Sequence, residues 1–516
     1  MTDILPATKE NTQFQFSSIF GVREQRRDWQ WLNRDRIYCD RLLWSAQTFR
    51  HIMHLLPGQT ILELGAGQGL FTQRLYQVSR GENPITAVTF TDAPRSSDLP
   101  DAVECINFDS IDSALSGRQF DFIVAIDLLD KNSCIQFLQN AYELLAPGGQ
   151  LLLYESNPWN YVLKARQLCS RFLRSGKPRQ LLNRTELYEL VSELGFVRIF
   201  AVYNDFVYAP FHPKTLWVLR NLSVLLENLP KVQTLASSIL LHAQKPPRNV
   251  ERPQVSLFEH EHLRKSVSVI VPCHNEEMNV EPLVTRLKAL YGEYLHEIVL
   301  IDDNSRDRTR DVIRQLAAAD LLIKPVYRVP PNGVGRAIAD GYKASTGRYV
   351  LSMDCDFQHL LPELRDLFDS AAQGYDVAVG SRFSRHSVLL NYPFQKILMN
   401  RGFHLLARIL LMRHLRDLTN NLKLLKREVV EDLQLTQPGF AVNAETGLQP
   451  LLMGYSVQEV AISWINRTPD MGVSSFKLIR VGGGYWQVLL KLWLETLTGK
   501  IQKRRSSHHK PYIELM

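Results

Sequence analysis

Short apolar runs alternate with amphipathic segments along most of this 516-residue chain, and the pattern occurs twice. The first series is TILEL, AVTFT, FDFIVAI and GQLLLYE, and the second is SVSVIVP, EIVLID, YVLSMD and DVAVG. Each run has the length and β-branched content of a buried strand, and the segments between runs have a helical period. Strands that alternate with helices form parallel sheets, so the sequence predicts an α/β fold with two Rossmann-like domains.

A connecting segment separates the two series. Between Lys245 and Ser266 the sequence KPPRNVERPQVSLFEHEHLRKS contains three prolines, many charges and no sustained apolar period. This composition is typical of an interdomain linker. We therefore predict a first domain over residues 1–245, a linker over 246–265, a second domain over 266–480 and an amphipathic basic segment over 481–516.

The composition narrows the class of protein. A hydrophobic content of 45% is that of a globular chain, and the formal net charge of +7 favours anionic partners. Nucleic acid is not expected as a partner, because the basic residues are not interleaved with a stacking or helix motif.

The six cysteines include no close pair, which argues against a zinc site or disulfides and for the reducing cytoplasm. Charges interrupt the longest apolar runs, so no membrane-spanning helix is predicted.

A glycine-rich turn follows the first predicted strand. In TILELGAGQGLFTQRL, residues 60–75, the chain passes from strand to helix through Gly65, Gly67 and Gly69. Glycines at such a turn let a ligand approach the backbone and expose the amides of the helix N-terminus. The spacing is G-x-G-x-G and Glu63 stands two residues before the first glycine, so a dinucleotide diphosphate is disfavoured. A ligand with amino and hydroxyl groups suits this carboxylate better.

This stretch resembles the first motif, E-x-G-x-G-x-G, of the class I S-adenosylmethionine-dependent methyltransferases. The resemblance continues through Asp92 in AVTFTD, Asp109 in INFDSID, Asp127 in FDFIVAID and the turn LLAPGGQLLLYE at residues 144–155. It implies S-adenosylmethionine as cofactor, bound by Glu63 and by the three glycines, which hold its methionine end. It also implies that Asp92 binds the ribose hydroxyls and Asp109 the adenine amino group. The stretch TDAPRSSDLPDA departs from the family pattern, because no helix-starting signal follows Asp92.

In the second half, three successive predicted strands end in polar and mostly acidic side chains. Ligands of open parallel sheets bind at the carboxyl ends of strands, so a site is expected there. The last three side chains stand at alternate positions and face one side of an extended chain. Oxygen ligands in this arrangement suit Mg²⁺ or Mn²⁺. The residues are His274, Asn275, Glu276 and Glu277 after the first strand, Asp302 and Asp303 after the second, and Asp354, Asp356 and Gln358 after the third.

Seven motifs between about residues 265 and 480 resemble glycosyltransferase family 2, in its polyprenyl-phosphate (dolichyl-phosphate mannose synthase-like) branch. They are VPCHNEE, LIDDNSRDRT, NGVGRAIADGYKASTG, MDCDFQH, VGSRF, TNNLKLLKRE and ISWINRTPDMGVSSFK. The resemblance implies a GT-A fold, a nucleotide-sugar donor and a divalent metal. It assigns the base and ribose of the nucleotide to Pro272, Asn275, Glu276 and Asp303. It assigns the metal on the donor diphosphate to Asp354, Asp356 and Gln358, with Asp354 also a ligand of the nucleotide sugar.

The same resemblance implies an inverting transfer to a polyprenyl phosphate, whose anionic oxygen needs cations rather than a strong base. Arg382 and Arg467 match positions of the family motifs and are, with Asp356, the predicted catalytic residues. Lys396 and Arg401 are further candidates for holding the acceptor, and the alternative is that they are surface charges. The closing motif R-x-x-G-x-S-K appears here as RTPDMGVSS, longer by two residues and with Ser475 in place of lysine.

Two leucine-rich segments with aromatic and basic residues follow a helical period. They are FQKILMNRGFHLLARILLMRH, residues 394–414, and GYWQVLLKLWLETLTGKIQKRR, residues 484–505, and the second ends in a basic run. Such helices lie in the membrane interface and are drawn to acidic lipids. The alternative is an amphipathic helix packed on its own domain. We predict a cytoplasmic protein in peripheral contact with the inner face of the plasma membrane.

Both halves together predict a bifunctional enzyme. The first domain transfers methyl groups from S-adenosylmethionine to an unknown substrate, and the second is a metal-dependent, inverting glycosyltransferase with a polyprenyl-phosphate-like acceptor. The alternative is a glycosyltransferase that acts on a non-lipid glycan and carries a non-catalytic cofactor-binding or scaffolding domain.

Overall fold

The chain folds into two compact α/β units, Met1–Arg252 and Pro253–Met516, which confirms the predicted fold class. Asp92, Asp109, Gln358 and Arg467 lie outside the residues that the structure describes. The bounds of the four predicted segments stay predictions. The computed structural model describes residues 19–33, 35–91, 98–107, 114–162, 164–165, 179–207, 213–247, 255–356, 361–384, 386–390, 392–413, 416–465 and 478–501.

The described part of the first unit contains a seven-stranded sheet. Its strands are β1 (Ile61–Leu64), β2 (Ile85–Thr89), β3 (Glu104–Asn107), β4 (Phe120–Ile126), β5 (Leu145–Ser156), β6 (Val197–Asn204) and β7 (Ser238–Gln244). They lie in the order β3-β2-β1-β4-β5-β7-β6, with β1 to β5 parallel and β7 antiparallel to both neighbours. The order reverses between β1 and β4, which opens a crevice at their carboxyl ends.

Helices precede β1 and connect the strands of this sheet. β1 and β2 are buried along their whole length, as expected of parallel strands in a sheet covered on both faces. The fifth helix begins with a capping box, in which Asn183 and Glu186 each accept the other's backbone amide. The helices are α1 (Ile19–Asn33), α2 (Asp35–Met53), α3 (Leu70–Val78), α4 (Cys134–Leu144), α5 (Arg184–Glu193) and α6 (Pro213–Glu227), with a 3₁₀ turn at Val232–Leu235.

The second unit also has a seven-stranded sheet in its described part, together with a two-stranded one. The strands are β8 (Val267–Cys273), β9 (Leu295–Asp302), β10 (Ile323–Tyr327), β11 (Tyr349–Ser352), β12 (Val377–Ser381), β13 (Val388–Leu390), β14 (Lys423–Lys426), β15 (Val457–Ala461) and β16 (Ser463–Ile465). The main order is β10-β9-β8-β11-β14-β12-β15, and β13 pairs with β16. Only β14 is antiparallel to its neighbours among the described strands of the main sheet. The strand order reverses between β8 and β11.

Helices cover this second sheet, and the last of them packs into the core through Val488, Leu489 and Leu492. That helix begins before residue 481, so the predicted start of the C-terminal segment falls inside it. None of the helices in the described ranges has both the length and the apolar character needed to span a membrane. The helices are α7 (Val280–Tyr291), α8 (Thr309–Ala319), α9 (Val334–Ala344), α10 (Leu364–Ala372), α11 (Phe394–Leu411), α12 (Arg427–Asp432), α13 (Val442–Met453) and α14 (Leu478–Leu497), with 3₁₀ turns at Glu261–Leu263 and Leu361–Glu363.

Candidate active sites

The turn between β1 and α3 has the backbone of a ligand-binding loop. Gly65, Gly67 and Gly69 have φ angles of 78°, 56° and 81°, in the left-handed region that residues with a Cβ rarely adopt. The amides of Gly65 and Ala66 donate to the carbonyl of Val88, at 2.9 and 2.8 Å, which fixes the turn against β2. This backbone fits the cofactor-binding role that the sequence predicts for the three glycines.

Two carboxylates of α1 lie against the glycine turn. Glu24 accepts a hydrogen bond from the amide of Gly67 at 2.8 Å and one from the amide of Phe90 at 3.0 Å. Asp28 accepts one from the amide of Gln68 at 2.8 Å. No motif in the sequence distinguished these acids from solvent-facing charges of an amphipathic helix. Their position at the turn is visible only in the folded unit.

Glu63, in β1, is the acidic residue that the sequence singled out before the glycines. It is buried, and burial raises the pKa of its carboxyl to about 7. Within the described part of the chain its Oε2 atom has no hydrogen-bond partner by geometry, although Thr72 lies close enough to lower the pKa of this carboxyl. A ligand that enters the site can therefore donate a hydrogen bond to it. S-adenosylmethionine carries a carboxylate, an ammonium group and ribose hydroxyls. The amides of the turn and the carboxyl of Glu63 are chemically complementary to these groups, so the residues present fit the predicted cofactor.

A cavity of about 130 Å³ opens beside the carboxyl ends of β4 and β5, lined in part by Asp127, Tyr154 and Glu155. Burial alone would raise the pKa of Asp127, but the guanidinium of Arg179, 2.6 Å away, lowers it to about 2. Burial raises the pKa of Glu155 to about 7. The hydroxyl of Tyr154 is buried and has no hydrogen-bond partner among the residues that the structure describes. Arg179 links the two carboxylates, because it donates to Asp127 at 2.6 Å and to Glu155 at 2.7 Å.

Strand directions bring the polar residues of the second unit to one edge of its sheet. β8, β9 and β11 are parallel, so Asn275, Asp303 and Asp354 leave the sheet at the same edge. β12 runs in the same direction and β14 in the opposite one, so Arg382 after β12 and Asn421 before β14 belong to that edge as well. Predicted residues from separate motifs thus converge beside the switch point between β8 and β11.

Asp354 and Asp356 are both partly exposed. The side-chain amide of Asn421 donates to Asp354 Oδ1 at 2.8 Å, and Ser352 Oγ donates to Asn421 Oδ1 at 2.7 Å. In the described ranges, the two aspartates form no cluster with a third acidic, histidine or cysteine ligand. The third ligand that the sequence predicts, Gln358, lies outside the described residues. Two hard, accessible oxygen ligands fit Mg²⁺ or Mn²⁺, which in proteins keep water and phosphate in their coordination shell.

Asp303 is buried at the end of β9 and holds the neighbouring loop in place. Its Oδ1 pairs with Arg328, and its Oδ2 accepts the amide of Gly333 at 2.7 Å. Arg328 directly follows β10 and also donates to Asp340 at 2.8 Å. The sequence did not single out Arg328, because its partner Asp303, directly after β9, is 25 residues away and their adjacency depends on the order of strands in the sheet.

Asn275 and Glu276 lie in the loop after β8. Asn275 has a φ of 58°, and its side-chain oxygen accepts the amide of Arg306 at 2.9 Å. The amide of Glu276 donates to Thr309 Oγ1 at 2.8 Å. These bonds join the loop after β8 to the one after β9. Pro272, next to the end of β8, is half-buried. The nucleotide-binding roles of Pro272, Asn275, Glu276 and Asp303 stay predictions.

Arg382 lies in a buried, bidentate ion pair. Its Nε donates to Asp417 Oδ2 at 2.7 Å and its Nη2 to Asp417 Oδ1 at 2.9 Å. Nη1 donates to the hydroxyl of Tyr392 at 3.1 Å. Burial opposes the charge of Arg382, but Asp417 outweighs it and raises the pKa of the guanidinium. Arg382 is therefore a fixed positive charge, and its catalytic role stays a prediction.

Lys396 and Arg401 of α11 are partly buried rather than fully solvated. Burial, reinforced by the charge of Arg382, lowers the pKa of Lys396. Burial also lowers the pKa of Arg401, against the opposing effect of Asp417. Arg401 Nη1 donates to a backbone carbonyl at 2.8 Å. Lys396 thus lies near the charge of Arg382, and Arg401 lies near that of Asp417.

Asp417, Asn421 and Lys423 make contacts at this edge that the sequence did not assign. Lys423 is buried on β14, and burial lowers the pKa of its ammonium group to about 7. Its Nζ donates to the carbonyls of Asn420 and Asn443. The sequence feature that could have indicated these three residues is the stretch RDLTNNLKLLK, in which a buried strand begins with lysine shortly after a polar run.

Comparison with known proteins agrees with this division into two sites. A family model described as "Methyltransferase domain" matches residues 31–199, and one described as "Glycosyl transferase family 2" matches residues 268–434. A dolichol-phosphate mannosyltransferase of Pyrococcus furiosus is 33% identical over 181 residues, which cover 35% of this chain but only 51% of that protein. A polyprenol monophosphomannose synthase of Mycolicibacterium smegmatis is 27% identical over 244 residues, covering 46% of this chain and 89% of that protein.

Among solved structures, glucosyl-3-phosphoglycerate synthase of Mycobacterium tuberculosis matches 49% of this chain and 85% of its own, with 20% identity and a TM-score of 0.36. A likeness of this degree carries no conclusion about ligands. The predicted family resemblances of both halves are confirmed by the two family models and by the mannose synthase relatives. The chain contains a methyltransferase domain followed by a family 2 glycosyltransferase domain.

Proposed function

We propose that the second domain transfers a sugar from a nucleotide sugar to a polyprenyl phosphate. The observation that carries the proposal is the convergence of Asp303, Asp354 and Asp356 at the same edge of the sheet as the fixed charge of Arg382. The names of the two relatives, a dolichol-phosphate mannosyltransferase and a polyprenol monophosphomannose synthase, support a lipid phosphate as acceptor and mannose as a candidate sugar.

In this reaction an oxygen of the acceptor phosphate attacks the anomeric carbon of the donor. The bond from that carbon to the diphosphate breaks, its electron pair leaves with the nucleoside diphosphate, and the configuration inverts. The attacking oxygen is already anionic, so the chain needs no strong general base. Lys396, Arg401 and Arg382, whose charge is offset by Asp417, are the proposed cations for the acceptor phosphate. Asp354 and Asp356 would hold Mg²⁺ or Mn²⁺, which would supply positive charge against the negative charge that develops on the leaving diphosphate.

A donor screen tests the proposal. The purified protein is incubated with a divalent metal, a polyprenyl phosphate and one nucleotide sugar at a time. We expect one donor to yield a glycosylated lipid together with stoichiometric nucleoside diphosphate. Transfer to a soluble glycan but not to the lipid would contradict the proposal in favour of the alternative acceptor.

Helix α11 presents an apolar face that suits contact with the lipid carrying such an acceptor. Leu398, Leu405 and Ile409 are 56%, 59% and 58% exposed, and their spacing places them on one side of the helix. The opposite side is buried in the core, including Ala407 and Leu411. The helix therefore packs on its own domain and, within the described part of the unit, exposes a second apolar face. Together with the predicted acceptor, this face supports peripheral contact at the cytoplasmic side of the membrane.

Charge substitutions on this face test the membrane contact. Leu405→Glu combined with Ile409→Glu is expected to reduce binding to phosphatidylglycerol vesicles by more than about 100-fold. Each lost apolar side chain removes about 1.5–3 kcal/mol of burial, and each added carboxylate is repelled by the anionic surface. Co-sedimentation with vesicles measures the effect.

The matched control is Met278→Glu with Leu321→Glu, because these residues are 79% and 102% exposed in the same unit but lie outside α11. This control protein should bind vesicles nearly as well as the unaltered chain. Its binding should fall only by the repulsion that two added negative charges cause in both doubly substituted proteins. Equal vesicle binding by the two doubly substituted proteins would rule out the α11 face as the membrane contact.

For the first domain, we propose methyl transfer from S-adenosylmethionine to a small acceptor in the cavity beside β4 and β5. The glycine turn and the buried carboxyl of Glu63 carry this proposal. The acceptor attacks the methyl carbon, the carbon–sulfur bond breaks, and its electron pair goes to sulfur. Positioning supplies much of the catalysis.

Labelled S-adenosylmethionine tests this activity. The purified chain is incubated with the labelled cofactor and cell extract, and we expect a methylated small molecule. Binding of the cofactor without transfer under varied conditions would favour the non-catalytic role of this domain.

A further inference from the structure

Side chains of helix α1 accept hydrogen bonds from the backbone amides that a bound cofactor would need as donors. Glu24 accepts the amide of Gly67 at 2.8 Å, and Asp28 accepts the amide of Gln68 at 2.8 Å. These amides belong to the turn that is predicted to hold the methionine end of S-adenosylmethionine, which itself carries a carboxylate. A backbone N–H donates effectively to one acceptor at a time. The carboxylates of α1 and of the cofactor therefore compete for the same atoms.

The space at the turn is filled as well. A Cβ placed on Gly67 would lie 1.9 Å from Asp28 Oδ2, so the carboxylate of Asp28 lies directly on the backbone that glycine leaves open. Close backbone approach is the use of glycine in such a turn. In this structure the approaching group is a side chain of the protein itself.

The same helix reaches the neighbouring strand end. Glu24 Oε2 accepts hydrogen bonds from Thr89 Oγ1 and Thr91 Oγ1, both at 2.9 Å, and from the amide of Phe90 at 3.0 Å. These residues lie directly before Asp92, the predicted ribose ligand. The contact thus extends from the methionine end of the predicted cofactor site towards its ribose end.

An arginine of α1 extends this contact to the ends of β1 and β4. Arg27 donates to the carbonyl of Gly65 at 2.7 Å and to that of Ile126, in β4, at 2.9 Å. Its guanidinium also stacks over the ring of Trp31, 4.3 Å from the ring centre. Helix α1 therefore bridges the ends of β1, β2 and β4, across the switch point of the sheet.

We propose that α1 is a built-in competitor for the cofactor site of the methyltransferase domain, and that its acidic face must withdraw before S-adenosylmethionine binds. This inference rests on the proposed cofactor of the domain and adds a regulation of its site. Glu24 is buried, and burial raises the pKa of its carboxyl. This desolvation cost partly offsets the hydrogen bonds that hold the docked helix in place.

Calorimetric titration with S-adenosylhomocysteine, which binds without reacting, tests the competition. The doubly substituted protein Glu24→Gln, Asp28→Asn keeps the side-chain shapes but loses the charge-assisted hydrogen bonds, which are about twice as strong as neutral ones. We expect it to bind about tenfold more tightly, because a larger fraction of molecules has an open site. The matched control is Glu143→Gln with Glu193→Gln, which removes the same charge from exposed positions of α4 and α5.

A second measurement uses the unaltered chain and does not depend on the folding of a variant. Arg26 is exposed on α1, so limited trypsin digestion reports on this helix. Addition of S-adenosylhomocysteine should accelerate cleavage within α1, because the ligand displaces the helix. Slower or unchanged cleavage in the presence of bound ligand would contradict the proposal.

The binding outcomes separate this inference from the proposed function. Equal affinity of the doubly substituted and unaltered proteins would overturn the competition while leaving cofactor binding intact. Weaker binding would overturn it too, because Glu24 and Asp28 would then be ligands of the cofactor. Absence of binding to any of the proteins would overturn the proposed cofactor and this inference with it.

Discussion

Asp356→Asn is expected to reduce sugar transfer by more than about 100-fold while leaving the second unit folded. Mutation of a residue that contacts a metal only through another ligand already lowers metal affinity or activity by about 10–100-fold. Asp356 is predicted to bind the metal directly, so a larger loss is expected. The amide keeps the shape of the carboxylate but not its charge, so it is a poorer ligand for Mg²⁺ or Mn²⁺. Release of nucleoside diphosphate and formation of labelled lipid measure the loss. A chelator should stop the unaltered protein, and added Mg²⁺ or Mn²⁺ should restore it.

The control for this prediction is Asp311→Asn on α8, where the side chain is 57% exposed and pairs with Arg314 one helical turn away. Its transfer rate should stay close to that of the unaltered protein. Both proteins should also unfold at the same temperature as the unaltered chain, which separates lost chemistry from lost structure. If Asp356→Asn retained most of its activity, or if chelation had no effect, the metal assignment would be wrong.

Much of the second site could be predicted from sequence because parallel strands share a carboxyl edge. Asn275, Asp303 and Asp354 each follow an apolar run of β-branched residues, and the alternation with helices predicts that these runs are parallel. Once the strands are parallel, their ends must meet at one edge. The same physical rule located the glycine turn after β1.

The surroundings of Arg382 could not be predicted in this way. Its partner Asp417 is 35 residues away, before a strand that runs antiparallel between β11 and β12. A polar run ahead of a short strand does not indicate which sheet position that strand takes. The contact of helix α1 with the glycine turn could not be predicted for a similar reason. Glu24 and Asp28 have the spacing of a solvated helix face, and only the docked position reveals their burial.

The buried ion pair between Arg382 and Asp417 gives the second large prediction, which concerns stability. Asp417→Asn leaves the buried charge of Arg382 without its partner. Breaking such a pair by removing one member costs about 3–5 kcal/mol, so the free energy of unfolding of the second unit should fall by about that amount. Hydrogen exchange of peptides from β12 and β14, measured by mass spectrometry at increasing urea, reports on this unit within the full chain.

Replacing both members of the pair is the informative comparison. Arg382→Met with Asp417→Leu removes both charges and should restore most of the lost stability, because no buried charge remains without a partner. Acid should lower the stability of the unaltered protein more than that of this doubly apolar protein. Burial alone would raise the pKa of Asp417, but Arg382 holds it well below its ordinary value. The stabilisation from the ionised carboxylate is therefore present above the unfolded pKa of about 4 and is lost as the pH falls below it.

The unaltered protein should consequently lose more stability between about pH 5 and pH 3 than the doubly apolar one. Sugar transfer by the doubly apolar protein then separates two roles of Arg382. If the protein is folded but inactive, the guanidinium acts on the reaction, as its motif position predicts, and the measured lipid product should be at least about 100-fold lower. If it is folded and nearly as active as the unaltered chain, Arg382 is a structural charge, and the cations that hold the acceptor phosphate must be sought at Lys396 and Arg401.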